Sequence, residues 1–228
     1  PPQGYIATAN EMNLPEGYPY GERKLGFEWG NDARHTRIDS MLRSLTKVSL
    51  EDSMRLQNDN TSIPARRLVA LIASLKSSDP KGEAALELLR GWDGVEHADS
   101  AQAALTEVWI SRHLGKAFLK AMMPDIAEAI RSPDMDAMLD TLEKKIVPGG
   151  DALLLDTLSA AYRETEQLLG PDSKKWQWGK LHHSLPEHPL LRTVEKSLRD
   201  KLQIGPFPKS GGPFTPNQSG YRATDFRQ

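Results

Sequence analysis

The sequence predicts a mainly α-helical chain, with one helical unit over about residues 31–170 carried between two loop-rich arms. Between 31 and 170, apolar residues recur at three- and four-residue spacing. Most of these periodic stretches open on Ser, Asp or Asn, and Gly or Pro breaks the chain between several of them. Outside that span the periodicity stops, and residues 1–30 and 171–228 are rich in Gly, Pro and aromatic side chains.

Taken in chain order, residues 4–9 (Gly-Tyr-Ile-Ala-Thr-Ala) have the β-branched and aromatic content of a short strand. Residues 14–21, with Pro15, Gly17, Pro19 and Gly21, read as loop. Asn31 or Asp32 caps a helix expected to run to about Lys47, with Ile38, Met41, Leu42 and Leu45 on one face. Ser49 and Asp52 have capping-box spacing, with Asp in place of Glu. A helix over 62–76 aligns Leu68, Leu71, Ile72 and Leu75, and Asp79-Pro80 opens another that stops before Gly91. The longest helix is expected over 99–122, ended by Pro124; Ser132-Pro133 starts one to about Lys145; Gly149-Gly150 precedes one over 151–169, closed by Gly170-Pro171. Beyond it lie the aromatic cluster Trp176-Gln177-Trp178-Gly179 and a Pro- and Gly-rich irregular segment over 204–220. Long irregular arms of this kind are uncommon at the ends of a compact domain, and their rings are expected to be buried against protein outside this chain.

Composition removes several classes of function. A net charge of −2 argues against a nucleic-acid binder, which would carry a basic excess. No apolar run reaches the roughly 18–20 residues of a membrane span. With no cysteine, disulfide scaffolds, thiolate zinc sites and cysteine nucleophiles are excluded. Walker loops, Gly-x-Ser-x-Gly elbows and His-Glu-x-x-His are absent. Pro1 carries a secondary amine that could serve as a base, but the chain is unlike the short α/β isomerases that use one, and a cleavage or cloning boundary is the simpler expectation. His182, His183 and His188 are close enough to suggest a metal site, yet no further ligand completes the set, so hydrogen-bonded loop histidines are expected.

Two polar residues stand out. Asn10 follows the strand-like segment, and an amide at a strand end can donate to a developing oxyanion; on residue type and position alone a turn-starting Asn is the simpler expectation. Arg34, at the head of the first helix, can fix an amide or carboxylate through its planar fork, or stand solvated.

Several stretches in order resemble the penicillin acylase family of N-terminal-nucleophile amidohydrolases, which includes penicillin, cephalosporin and acyl-homoserine-lactone acylases. They are Gly4-Tyr5-Ile6-Ala7-Thr8-Ala9-Asn10, then Gly26-Phe27-Glu28-Trp29-Gly30 with Arg34 to Asp39, then Leu56-Gln57-Asn58-Asp59 and Leu89-Arg90-Gly91-Trp92-Asp93-Gly94. Trp176-Gln177-Trp178-Gly179-Lys180-Leu181-His182 and His188-Pro189-Leu190 follow. The resemblance implies an interior piece of a β-subunit. Residues 1–30 and 171–228 would be arms packing on an αββα nucleophile domain, and 31–170 its helical domain. It also implies amide hydrolysis by a serine at the start of the β-subunit, absent from this chain, with its own α-amine as base. The family's Ala-Asn step falls on Ala9-Asn10 and its Trp-Gly-x-x-x-Arg on Trp29 to Arg34, which gives Asn10 the oxyanion role and Arg34 the organising one.

No cofactor is implied for the chemistry. A structural calcium occurs in some members, and Glu22, shortly after Tyr18-Pro19, matches one of its acidic ligands. The implied partners are the rest of the β-subunit, the α-subunit and a small amide substrate, with neither nucleic acid nor membrane, in the periplasm or outside the cell. This chain alone is expected to be inactive. The competing reading is a non-enzymatic helical scaffold or interaction module.

Overall fold

Residues 1–26, 28–186 and 188–228 are described by a computed structural model, in which the chain is mainly helical. The helices are α1 (Ala33–Arg43), α2 (Leu50–Gln57), α3 (Ile63–Ile72), α4 (Pro80–Leu89), α5 (Ala101–Val108), α6 (Gly115–Met122), α7 (Met135–Glu143), α8 (Gly150–Leu169), α9 (Trp178–Leu181) and α10 (Lys196–Leu202). A π-helical segment, Trp109–Leu114, joins α5 to α6, so the backbone is helical from Ala101 to Met122 as the periodicity predicts. Two short strands, β1 (His183–Ser184) and β2 (Phe207–Pro208), pair antiparallel.

The caps follow the sequence. Ser49 and Asp52 make the reciprocal capping box of α2, at 3.0 Å in each direction. Asp79 accepts the Lys81 N–H at 3.1 Å with Pro80 at the first helical position, and Gly91, at φ +73°, follows α4 in the left-handed region. Asp79 also binds Ser159 and Arg163 of α8, so the cap is a joint between two helices. These donors, Ser159 first, hold its carboxyl at about 2.

Three expectations about elements and their boundaries are corrected. Residues 5–8 are not a strand: they have no ladder partner among the described residues, and a strand without one is not stable. Helix α7 starts on Asp134, whose carboxylate accepts the Ala137 N–H at 2.8 Å, rather than on Ser132-Pro133; Pro133 packs beside Gly115 instead. Helices α1 and α3 stop short of their expected ends, at Arg43 and Ile72, before Lys47 and Lys76 are reached.

The core centres on α5, the π segment and α8, with α4 and α7 packed around them. Trp109, fully buried, donates its indole N–H to Thr157 of α8 at 2.9 Å. Trp176, Trp178 and Phe226 join this same core. The expectation that these rings need protein outside the chain is therefore corrected: the helical unit buries them. Trp178 donates to the Gly211 carbonyl at 2.9 Å, stacks on His182 and meets Tyr221 and Phe226 edge-on.

Candidate functional site

Asn10 sits in a bend with φ +71°, a left-handed conformation that Asn tolerates better than most residues. Two contacts fix it. The Gly30 N–H donates to the Asn10 carbonyl at 2.5 Å, and the Arg34 Nη2 donates to Asn10 Oδ1 at 2.7 Å and to the Ala9 carbonyl at 2.7 Å. A Cβ on Gly30 would stand 2.9 Å from that Asn10 carbonyl, so the close approach needs glycine. Beside it, the buried Glu11 carboxylate accepts the Ala9 N–H at 2.5 Å.

The orientation of the Asn10 amide follows from chemistry. A guanidinium only donates, so the atom facing Arg34 is the carbonyl oxygen, and the Asn10 Nδ2 hydrogens remain free to point elsewhere. Asn10 itself is solvent-exposed. Asn10 and Arg34 are thus brought together as the sequence suggests, but through a clamp from α1 rather than the end of a strand.

The clamp is braced from below. Tyr5 donates to Asp39 of α1 at 2.7 Å, and Asp39 also accepts from Arg43; these two donors, Tyr5 first, lower its pKa. Asn31, just ahead of α1, accepts the Ala33 N–H and donates to Asp136 of α7. Burial, reinforced by Asp32, raises Asp136 to about 6. Arg67 of α3 reaches Asp136 at 3.4 Å, Asp140 at 2.6 Å and Glu143 at 2.7 Å, tying α3 to α7.

Glu22 is an exposed residue in the 19–23 turn, and among the described residues no group of three or more His, Asp or Glu side chains is arranged to hold a metal. Calcium takes six to eight oxygens, so this single carboxylate does not by itself fit the ion. His182 is buried and bonded through Nδ1 to the Phe226 carbonyl at 3.0 Å and through Nε2 to Ser219 at 2.7 Å, a structural histidine with both nitrogens occupied.

Sequence reasoning placed Gly30 in a motif but gave it no role, and it missed Glu11 and a buried acidic pair. Glu96 and Glu107 are both fully buried, and Tyr221 donates to Glu107. Glu96 Oε1 and Oε2 and Glu107 Oε1 have no donor as carboxylates. Burial first, and then neighbouring Glu107, push Glu96 well above the carboxylate range, and burial raises Glu107 as well, so the pair is arranged to share a proton. Gly212 roofs the pair, since a Cβ there would lie 2.7 Å from Glu96 Oε2. The available signal was Glu107 itself, a lone acid in the apolar run from Ala103 to Ile110.

The sequence profile of the penicillin amidase family matches residues 1–228. The chain belongs to the penicillin amidase family. Similar proteins include the acyl-homoserine lactone acylase QuiP of Pseudomonas syringae pv. syringae, 28% identical over 97% of this chain and 30% of that protein. The QuiP proteins of P. syringae pv. tomato and P. fluorescens Pf-5 are each 29% identical, over 85% and 97% of this chain and 27% and 30% of their own length. The chain therefore spans about a third or less of these relatives.

Within this family member the resembling stretches divide by duty. The first two build the Asn10 clamp, although Phe27 lies outside the described residues. The next three are joints. Asp59 binds Arg37 of α1 at 2.6 Å and, through its carbonyl, the Asn217 N–H. Gly94 accepts the Ser62 N–H at 2.9 Å where a Cβ would strike Arg66, and Gly179 donates to the Ala98 carbonyl in a space that no Cβ fits. In the last stretch, His188 caps the short 3-10 turn Pro189–Arg192.

Proposed function

We propose that this chain supplies the oxyanion donor of an amide-hydrolysing acylase, with Asn10 as the catalytic donor and Arg34 as its positioning residue. The observation that supports this reading is the 2.7 Å bond from Arg34 to Asn10 Oδ1, which leaves the amide N–H of an exposed, conformationally fixed side chain available. In acyl transfer a serine hydroxyl attacks the amide carbonyl, its proton passing to the serine's own α-amine. Charge grows on the carbonyl oxygen, and a donor already in place stabilises it without reorganisation. The serine would come from another segment of the same precursor.

The names of the relatives favour an N-acyl homoserine lactone as substrate, ahead of penicillin- or cephalosporin-type amides. The partners in this reading are the remainder of the β-subunit and the α-subunit, in the periplasm or outside the cell. Ile6, Leu25 and Trp29, exposed at 77%, 65% and 37%, give those segments an apolar surface to cover around the clamp. Glu22 would be one of several calcium ligands in the whole protein. A helical scaffold alone would explain the core but not the clamp.

The test is Asn10→Asp in the full-length protein. Aspartate keeps the left-handed backbone accessible and still accepts from Arg34, but it has no N–H. Turnover is expected to fall about 10²–10³-fold, the usual loss of one oxyanion donor, with the melting temperature unchanged. Turnover within a few fold of wild type would contradict the assignment.

A further inference from the structure

Between the π segment, α6, the start of α7 and the C-terminal arm lies a groove of about 690 Å³. That volume is within the range of small-molecule sites. Ile110, Met135, Met138 and Phe214 line the groove's apolar floor, where Ile110 and Met135 are almost fully buried and Met138 lies fully buried beneath the surface. Lys116 and Arg131, both exposed, stand at its mouth, and neither makes an ion pair among the described residues. Among the lining residues there is no Asp or Glu. The third cation, Arg112, is already committed: it pairs with Glu164, donates to the Ala223 and Thr224 carbonyls at 2.8 and 2.9 Å, and lies over the Phe226 ring. It closes a wall rather than offering charge. The neighbouring acids are also engaged, Glu128 with Lys120 and Asp134 with the first turn of α7. One wall is the π segment, an irregularity frequently found at functional sites.

We propose that this groove binds a single-chain alkyl carboxylate, its tail on Ile110, Met135, Met138 and Phe214 and its head between Lys116 and Arg131. The apolar floor explains a chain, and the two uncompensated cations explain an anionic end; a neutral lipid would leave the charges unused and a small anion would leave the floor wet. The groove uses no residue of the Asn10 clamp, so the inference does not rest on the acylase reading.

Methionine ε-methyl NMR on the 228-residue chain tests it, because two of the seven methionines line the floor. Decanoate, added below its micelle concentration, is expected to shift Met135 and Met138 saturably while Met12, Met41 and Met54 stay put. Decanol and propionate are expected to bind at least about tenfold more weakly, and the surface double variant Lys116→Gln/Arg131→Gln is expected to lose about tenfold in decanoate affinity. Equal binding of decanol, unchanged affinity in the double variant, or shifts spread over the exposed methionines would each overturn the proposal.

Discussion

Asn10 is held in place by three small facts: a positive φ, a guanidinium on its oxygen, and a glycine against its carbonyl. The sequence made the residue visible as a polar side chain after an apolar segment, and family resemblance made it a candidate. What the sequence could not show was the source of its rigidity, because the Arg34 contact spans 24 residues and depends on how α1 is entered. Glu107 stood out only as a lone acid among apolar neighbours, and Glu96 was illegible for a related reason, since its burial is a property of the packed molecule and not of its neighbours in sequence. The pair makes a pH prediction. Because Glu96 is raised above its ordinary 4.5, the native state holds more protons than the unfolded one, so stability is lost as pH rises from about 4.5 through the raised value. Glu96→Gln removes that loss and can still donate to Glu107. At pH 8 the variant is expected to be more stable than wild type by about 1–3 kcal/mol, roughly 2–4 °C in Tm per kcal/mol, with the gap closing near pH 4. A difference independent of pH in thermal melts would contradict a shared buried proton.

At the scale of elements, most helix starts were legible because Ser49, Ser62 and Asp79 cap through local hydrogen bonds that the sequence contains in full. Ser132-Pro133 misled because Asp134, two residues after Ser132, is a competent cap and Pro133 is drawn to Gly115. The strand expected over 4–9 failed because a strand is defined by its partner. The entry to α1 is the element on which the site depends, and Gly30 is its tightest point. Gly30→Ala puts a methyl 2.9 Å from the Asn10 carbonyl, on exposed backbone where little packing is at stake. In the full-length protein this variant is expected to lose at least about tenfold in kcat while its Tm moves by less than about 2 °C. A variant with normal kcat, or one that simply unfolds, would contradict a positioning role for that contact.

Across the whole molecule, the arm after residue 170 is bound into the helical core. Trp178 holds Gly211, His182 holds Phe226 and Ser219, and Tyr221 closes on the buried acids. The sequence showed a helical middle and aromatic arms, but composition cannot say which surface receives a ring. Unfolding is therefore expected to be one transition, with tryptophan fluorescence, dominated by Trp109, Trp176 and Trp178, tracking helix loss by circular dichroism in urea. Separated midpoints would show that the arm is an independent unit. The clamp, by contrast, lies at the exposed edge of this body, on residues that bind α1 and leave Ile6 and Leu25 uncovered.

A double-mutant cycle on kcat in the full-length protein, with Asn10→Asp, Arg34→Met and the pair, tests directly whether Arg34 aims Asn10. A single Arg34 nitrogen holds both Ala9 and Asn10, and methionine has no donor, so it should release the amide. If Arg34 acts by positioning Asn10, the double variant will be no slower than the worse single variant, because once the N–H is gone there is no donor left for Arg34 to aim. Fully additive losses would mean that the two residues work separately and that the clamp does not aim the donor.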